Sequence, residues 1–345
     1  GCMDKSGADA YIFAKTSGNL GKSYTGSRSH ILFEQKSLAE LWTLLFKNPA
    51  PAVPEVLLAE QIEKEAFDRF FAQYVKFVNL YDHPDAIFTD LLCTYEAENL
   101  KLVAAALANG EKKCPPLQNL GSFAKCDYSK WPDLTAITAD SDFAWFNATP
   151  EISQLKDVDF KMDIQVVQHL YKSIKKQRGE NKAALLKLFD AEYIIKNIVW
   201  ALRLRIYYKM EKEEILPKLI YVSDSPTLKD PIAGPAIKVL DMPLDEFEVW
   251  EKWQYNEYVN PHVAGDVWQI DPGWIENRGK AKLNQLALNV FHQNPMSVSS
   301  LLGWYKIKEY ELSCICTAVE SLRLNISAQE AMSAVGIVSD GGVNG

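Results

Sequence analysis

The sequence predicts an all-α protein built from three similar helical domains. Three observations carry this reading. Apolar residues recur at three-and-four spacing along almost the whole chain. Glycine (17) and proline (16) are sparse for 345 residues, which leaves few turns for an all-β body. A two-helix layout recurs three times.

In chain order, the first long helix falls within residues 60–80, where Ile62, Ala66, Phe70, Tyr74, Phe77 and Val78 line one face. The same spacing returns from Ile164 through Val167, Leu170 and Tyr171 to Ile174. Prolines mark breaks at 49–54, 115–116, 132, 226–243 and 261. Two short stretches, Tyr11-Ile12-Phe13 and residues 219–222, read as strands, but the helix–strand alternation of a parallel sheet does not follow either.

The repeat starts each time with an apolar residue and an acid opening a long amphipathic helix: Ile62-Glu63, Met162-Asp163 and Ile275-Glu276. A second apolar helix begins near Phe88, Leu185 and Ser300. It contains comparable stripes, Asn99-Leu100-Lys101-Leu102-Val103, Asn197-Ile198-Val199-Trp200-Ala201 and Cys314-Ile315-Cys316-Thr317-Ala318. From acid to anchor (Asn99, Asn197, Cys314) the separations are 36, 34 and 38 residues, and successive anchors lie 98 and 117 apart. The domains are therefore drawn as 9–125, 126–232 and 233–338. Repeats of that size are whole small domains, and copies packed side by side form a curved or closed body.

An apolar share of 48 % with 24 % charged residues excludes global disorder. The net charge of −8 argues against nucleic acid as a partner, because phosphate binding rests on clustered Lys and Arg. The acid is concentrated in residues 233–345, with 8 Lys and Arg against 14 Asp and Glu. No run reaches the ~18 apolar residues of a membrane span, and Gly1-Cys2-Met3-Asp4-Lys5 carries no apolar signal segment. The six cysteines are scattered and form no disulfide framework. Cys314 and Cys316, two apart on a helix, point ~200° from each other. Buried thiols in a reducing, cytoplasmic setting are the expectation.

Catalytic signatures are thin. Residues 16–23, Thr-Ser-Gly-Asn-Leu-Gly-Lys-Ser, imitate a phosphate loop but place Thr16 where the tight turn needs glycine. The stretch reads as a helix break at Gly18 and Gly21. The five histidines show no metal-ligand spacing. His262, Asp266 and Asp271 share one loop and are the nearest thing to an acid–base cluster. The basic run of residues 172–178 reads as a solvated helix end. Trp250, Trp253, Trp268, Trp274 and Trp304 read as fillers of helix junctions. Arg203 and Arg205 cannot both face one way, so one is assigned to polar partners and the other to the surface.

The C-terminal part is the most specific. It runs Trp250-Glu251-Lys252-Trp253-Gln254-Tyr255, Asn260-Pro261, Trp268-Gln269-Ile270-Asp271-Pro272, Trp274-Ile275-Glu276 and Asn294-Pro295-Met296-Ser297. Residues 304–312 (Trp-Tyr-Lys-Ile-Lys-Glu-Tyr-Glu-Leu) and 319–330 close the series. This order resembles the C-terminal repeat of the C-type connector family of V-type (A/V-type) ATPases, whose eukaryotic members are the d subunits. Residues 90–101 and 197–205 resemble the closing helices of the first and second repeats. The resemblance spans roughly 10–336, with Cys314 departing from the Asn of the other repeats and a weaker match up to Arg28.

The resemblance implies an all-α funnel of three similar domains around a pseudo-threefold axis. It implies a non-catalytic central-stalk connector, peripheral on the cytoplasmic face of the membrane. Such a connector receives the D and F proteins of the rotor shaft and rests on the proteolipid c-ring, coupling ATP hydrolysis or synthesis to ion transport, protons included. No active site, cofactor or metal is implied. Arg203, Lys306, Lys308, Glu309 and Glu311 are candidate partner contacts, each against the alternative of an ordinary solvent-facing helix residue. Two other classes stay open: a helical adaptor for a peptide or lipid, and a helical hydrolase using Asp271 and His262.

Overall fold

The computed structural model describes residues 2–223 and 226–337. Its helices are α1 (Lys5–Lys22), α2 (Leu38–Phe46), α3 (Glu55–Val78), α4 (Ala86–Ala108), α5 (Leu134–Thr138), α6 (Leu155–Lys175) and α7 (Gly179–Ile206), then α8 (Lys212–Ile215), α9 (Gly234–Val239), α10 (Phe247–Glu251), α11 (Pro272–Gln293), α12 (Val298–Leu324) and α13 (Ala328–Ala334). No strand forms among the described residues; one isolated bridge joins Met3 and Tyr81. The all-α prediction holds.

Local chemistry explains where the helices start and stop. Short polar side chains accept the otherwise orphaned amides of a first turn. Ser37 does so for α2, Asp85 for α4, Asp271 for α11, Ser297 for α12 and Ser327 for α13. Pro272 adds a preset φ at the first position of α11. α12 stops at Asn325, which adopts a left-handed φ of 54°.

Several local expectations are corrected. Tyr11-Ile12-Phe13 lies inside α1, and residues 219–222 form no strand. Gly18 and Gly21 do not break α1, which continues to Lys22. Helix propensity penalises a lone glycine by only ~1 kcal/mol, too little to outweigh packing of the helix on α12. The acids Glu63 and Asp163 do not open their helices. α3 begins at Glu55 and α6 at Leu155, so both stand about two turns inside. α10 ends at Glu251, yet Trp253 still meets Trp250 edge to face, with ring centroids 5.0 Å apart.

The chain divides into two compact units. The first comprises the described residues of Gly1–His83, Gly179–Leu219 and Thr227–Gly345. In it α3 packs on α12, α12 on α11, α11 on α7, and α1 on α12. It contains an aromatic cluster: Trp304 lies against Phe70 and Phe77, and Tyr305 against Tyr74. The fully buried Trp304 donates its indole N–H to Asn19 Oδ1 at 2.9 Å. The second unit comprises Pro84–Arg178 and Ile220–Pro226. There α4 packs on α6 over a core of Leu100, Val103, Leu134, Phe143, Phe146 and Met162.

The long helices thus pair between the sequence spans rather than within them. The pairs are α4 with α6, α7 with α11, and α12 with α3. In all three stripes the anchor and the residues one, four and five places on are buried. These are Asn99, Leu100, Val103 and Ala104; Asn197, Ile198, Ala201 and Leu202; and Cys314, Ile315, Ala318 and Val319. Ile62, Met162 and Ile275 are fully buried on the facing helices, as the core side of an amphipathic helix requires.

Candidate partner-binding site

Each helix pair brings the acid of one helix against a residue in, or just beyond, the stripe of the other. In the second unit Lys101 Nζ meets Asp163 at 2.6 Å. In the first unit Arg203 meets Glu276 at 2.9 Å, and Glu63 lies within electrostatic reach of Cys316. Cys316 and Lys101 occupy the same place, two residues after the anchor. Glu63 itself is raised, chiefly by burial.

Of the five candidate contacts, Lys306, Lys308 and Glu311 are buried, which excludes the ordinary solvent-facing alternative for them. Lys306 Nζ sits 2.9 Å from both Glu192 of α7 and Glu309, and lies over the Phe189 ring. Burial alone would lower the lysine, but the Glu192 and Glu309 carboxylates more than offset it and hold the ammonium charged. Burial would likewise raise Glu192, yet Lys306, with Lys196, holds it below the usual carboxylate range. Lys308 donates to Glu311 at 2.6 Å and to Ser23 Oγ at 2.9 Å, and Glu311 accepts the Tyr24 backbone amide at 2.6 Å. These groups fasten α12 to α7 and to the end of α1. Glu309 and Arg203 keep 30 % and 36 % of their side chains exposed. Both arginines of α7 have polar partners, because Arg205 donates to the carbonyls of Val239 and Met242.

Beside the Arg203–Glu276 pair, α7 and α11 enclose a depression of about 290 Å³ lined by Ile195, Val199, Trp200, Gly279 and Leu283, with Lys196 and Lys280 among its polar groups. A Cβ on Gly279 would stand 2.7 Å from Ile195 Cγ2, so the close approach of the two helices requires glycine there. Sequence reasoning does not single out Trp200 as a site residue. Its signal lies in its register: three places after the anchor, off the buried stripe, where a solvated helix carries a polar residue. Leu102 holds the same place in α4 and is also exposed.

The other sequence candidates resolve simply. Thr16 is buried in α1 and donates to the Ile12 carbonyl. Asp271 caps α11 through the Gly273 amide, and His262 meets the Asp266 carbonyl, so the loop's polar groups serve the local backbone. Lys172, Lys175 and Lys176 are exposed at the end of α6, where they complement the helix dipole. Trp250 and Trp304 are fully buried. Among the described residues no helix is long and apolar enough to cross a membrane, and no group of three His, Cys, Asp or Glu is placed to hold a metal ion.

An uncharacterized protein of Treponema pallidum (strain Nichols) is 26 % identical over 324 residues, covering 93 % of this chain and 94 % of the relative. The ATP synthase (C/AC39) subunit family matches residues 21–334. With the match extending over nearly the whole chain and the fold entirely helical, the chain belongs to the ATP synthase (C/AC39) subunit family.

Proposed function

We propose that this component of a V/A-type ATPase is the non-catalytic connector of the central stalk, seating the D and F proteins of the shaft and resting on the proteolipid c-ring. Its three similar helical domains would stand around a pseudo-threefold axis as a funnel, and it would lie peripherally on the cytoplasmic face of the membrane. The near-complete family match carries the reading. The recurrence of one buried stripe in three helix pairs, each facing an acid from the partner helix, supports the threefold part. A torque-transmitting part must resist deformation, and close-packed aromatic side chains such as those around Trp304 provide that stiffness.

Arg203 and Glu309 are the proposed direct contacts; Lys306, Lys308 and Glu311 act on the partner through the position of α12. Co-expression with the shaft pair and the proteolipid of the same organism tests the proposal. The expected result is a stable complex, weakened by Arg203→Glu combined with Glu309→Lys. Failure of the chain to copurify with either partner, or ATP turnover by the isolated chain, would overturn it.

A further inference from the structure

We propose that the depression between α7 and α11 seats one bulky apolar side chain of an acidic helix on the rotor shaft. The inference rests on the connector reading above and adds the place and the chemistry of one contact. Part of the wall is apolar. Ile195 and Val199 are buried to their rims, and the Trp200 ring is tethered by its indole N–H to the Lys218 carbonyl at 3.1 Å. Trp200 nevertheless keeps 39 % of its surface exposed, an expensive arrangement for the largest apolar side chain unless something covers it. A space of about 290 Å³ lies at the bottom of the size range of small-molecule sites and suits a single side chain. An exposed Trp beside an arginine is also the composition of an interface hot spot.

Charge decides the guest. Three cations, Lys196, Arg203 and Lys280, line the depression against two acids, Glu192 and Glu276. Glu192 is held by Lys306, and Glu276 by Arg203. Lys196 acts on Glu192 from beyond ion-pair distance and lies over the Tyr193 ring, and Lys280 forms no ion pair among the described residues, although the chain as a whole carries −8. An apolar pocket with surplus positive charge at its edge selects an amphipathic helix whose apolar anchor is flanked by carboxylates. In the second unit the exposed Leu102 likewise adjoins, in sequence, the Lys101–Asp163 pair.

The test titrates the full-length chain with the purified D–F pair by calorimetry, in parallel with flotation on phosphatidylglycerol vesicles. Trp200→Ala and the double variant Lys196→Glu/Lys280→Glu alter exposed or half-exposed side chains, and thermal melting checks that both remain folded. Each is expected to weaken shaft binding at least about tenfold, and the double variant should lose part of the salt dependence of the wild type. Unchanged shaft affinity in both folded variants overturns this inference and leaves the connector reading standing. Absence of shaft binding by the wild type overturns both. Vesicle binding that depends on Lys196 and Lys280, with shaft binding indifferent to them, assigns the surface to anionic lipid and overturns the inference.

Discussion

Helices α4 and α12 carry the same stripe but handle buried charge in different ways. Eight residues before the anchor, α4 has Leu91 and α7 has Phe189, whereas α12 has Lys306; all three are buried. Three residues before the anchor, α4 and α12 both bury a glutamate, Glu96 and Glu311. Glu96 is satisfied mainly by uncharged donors: the Lys125 and Cys126 amides at 2.8 Å and the Tyr128 hydroxyl at 2.7 Å. In α12 the charges answer one another, Lys306 with Glu192 and Lys308 with Glu311. One position can therefore be apolar or charged, provided a neighbouring element supplies the complement. The charged solution ties α12 specifically to α7, whereas Leu91 is interchangeable with any apolar residue of similar volume.

The largest break in that comparison is expected at Lys306. Lys306→Met leaves Glu192 buried without its cation and should destabilise the fold by about 3–5 kcal/mol, read from the urea midpoint. Adding Glu192→Leu should restore most of the loss, since an apolar pair would make α12 resemble α4. The pH profile supplies the sign. Glu192 is held below its ordinary value, so the pair's contribution is complete at neutral pH and is lost as pH falls through that lowered value. Lys306 is raised, so the contribution persists below the usual lysine range and fades only as pH climbs beyond it. The double variant should lack both limbs.

A smaller effect is expected at Glu96. Glu96→Ala orphans two backbone amides and should cost about 2–3 kcal/mol. Glu96→Gln, which keeps one acceptor oxygen, should cost less. Hydrogen exchange distinguishes this from general loosening, because the Lys125 and Cys126 amides should exchange faster than the rest of the second unit. The smallest effect is expected at the rim. Arg203→Ala should change stability by only about 0.2–1 kcal/mol, since its ion pair with Glu276 is more than a third exposed. Lys101→Ala should cost more by the same measurement, because Lys101 is 18 % exposed and held above its ordinary value against burial by Asp163.

The sequence was legible wherever a local rule operates. The buried faces of α3 and α6 follow from spacing alone, whereas the caps Asp85, Asp271 and Ser297 emerged only with the structure. The candidate site was less legible. Lys306, Lys308 and Glu311 look like surface residues until Glu192, Ser23 and Tyr24 arrive from far along the chain.

By itself the sequence determined the helical class, the recurring stripe and the family, because periodicity and motif order are properties of one dimension. Tertiary structure alone decided which long helices pair, which glutamate neutralises which lysine, and that Gly279 admits Ile195 and leaves a depression beside Trp200. Those outcomes depend on side chains separated by tens to hundreds of residues. Burial energetics choose among such partners only once the helices have been brought together.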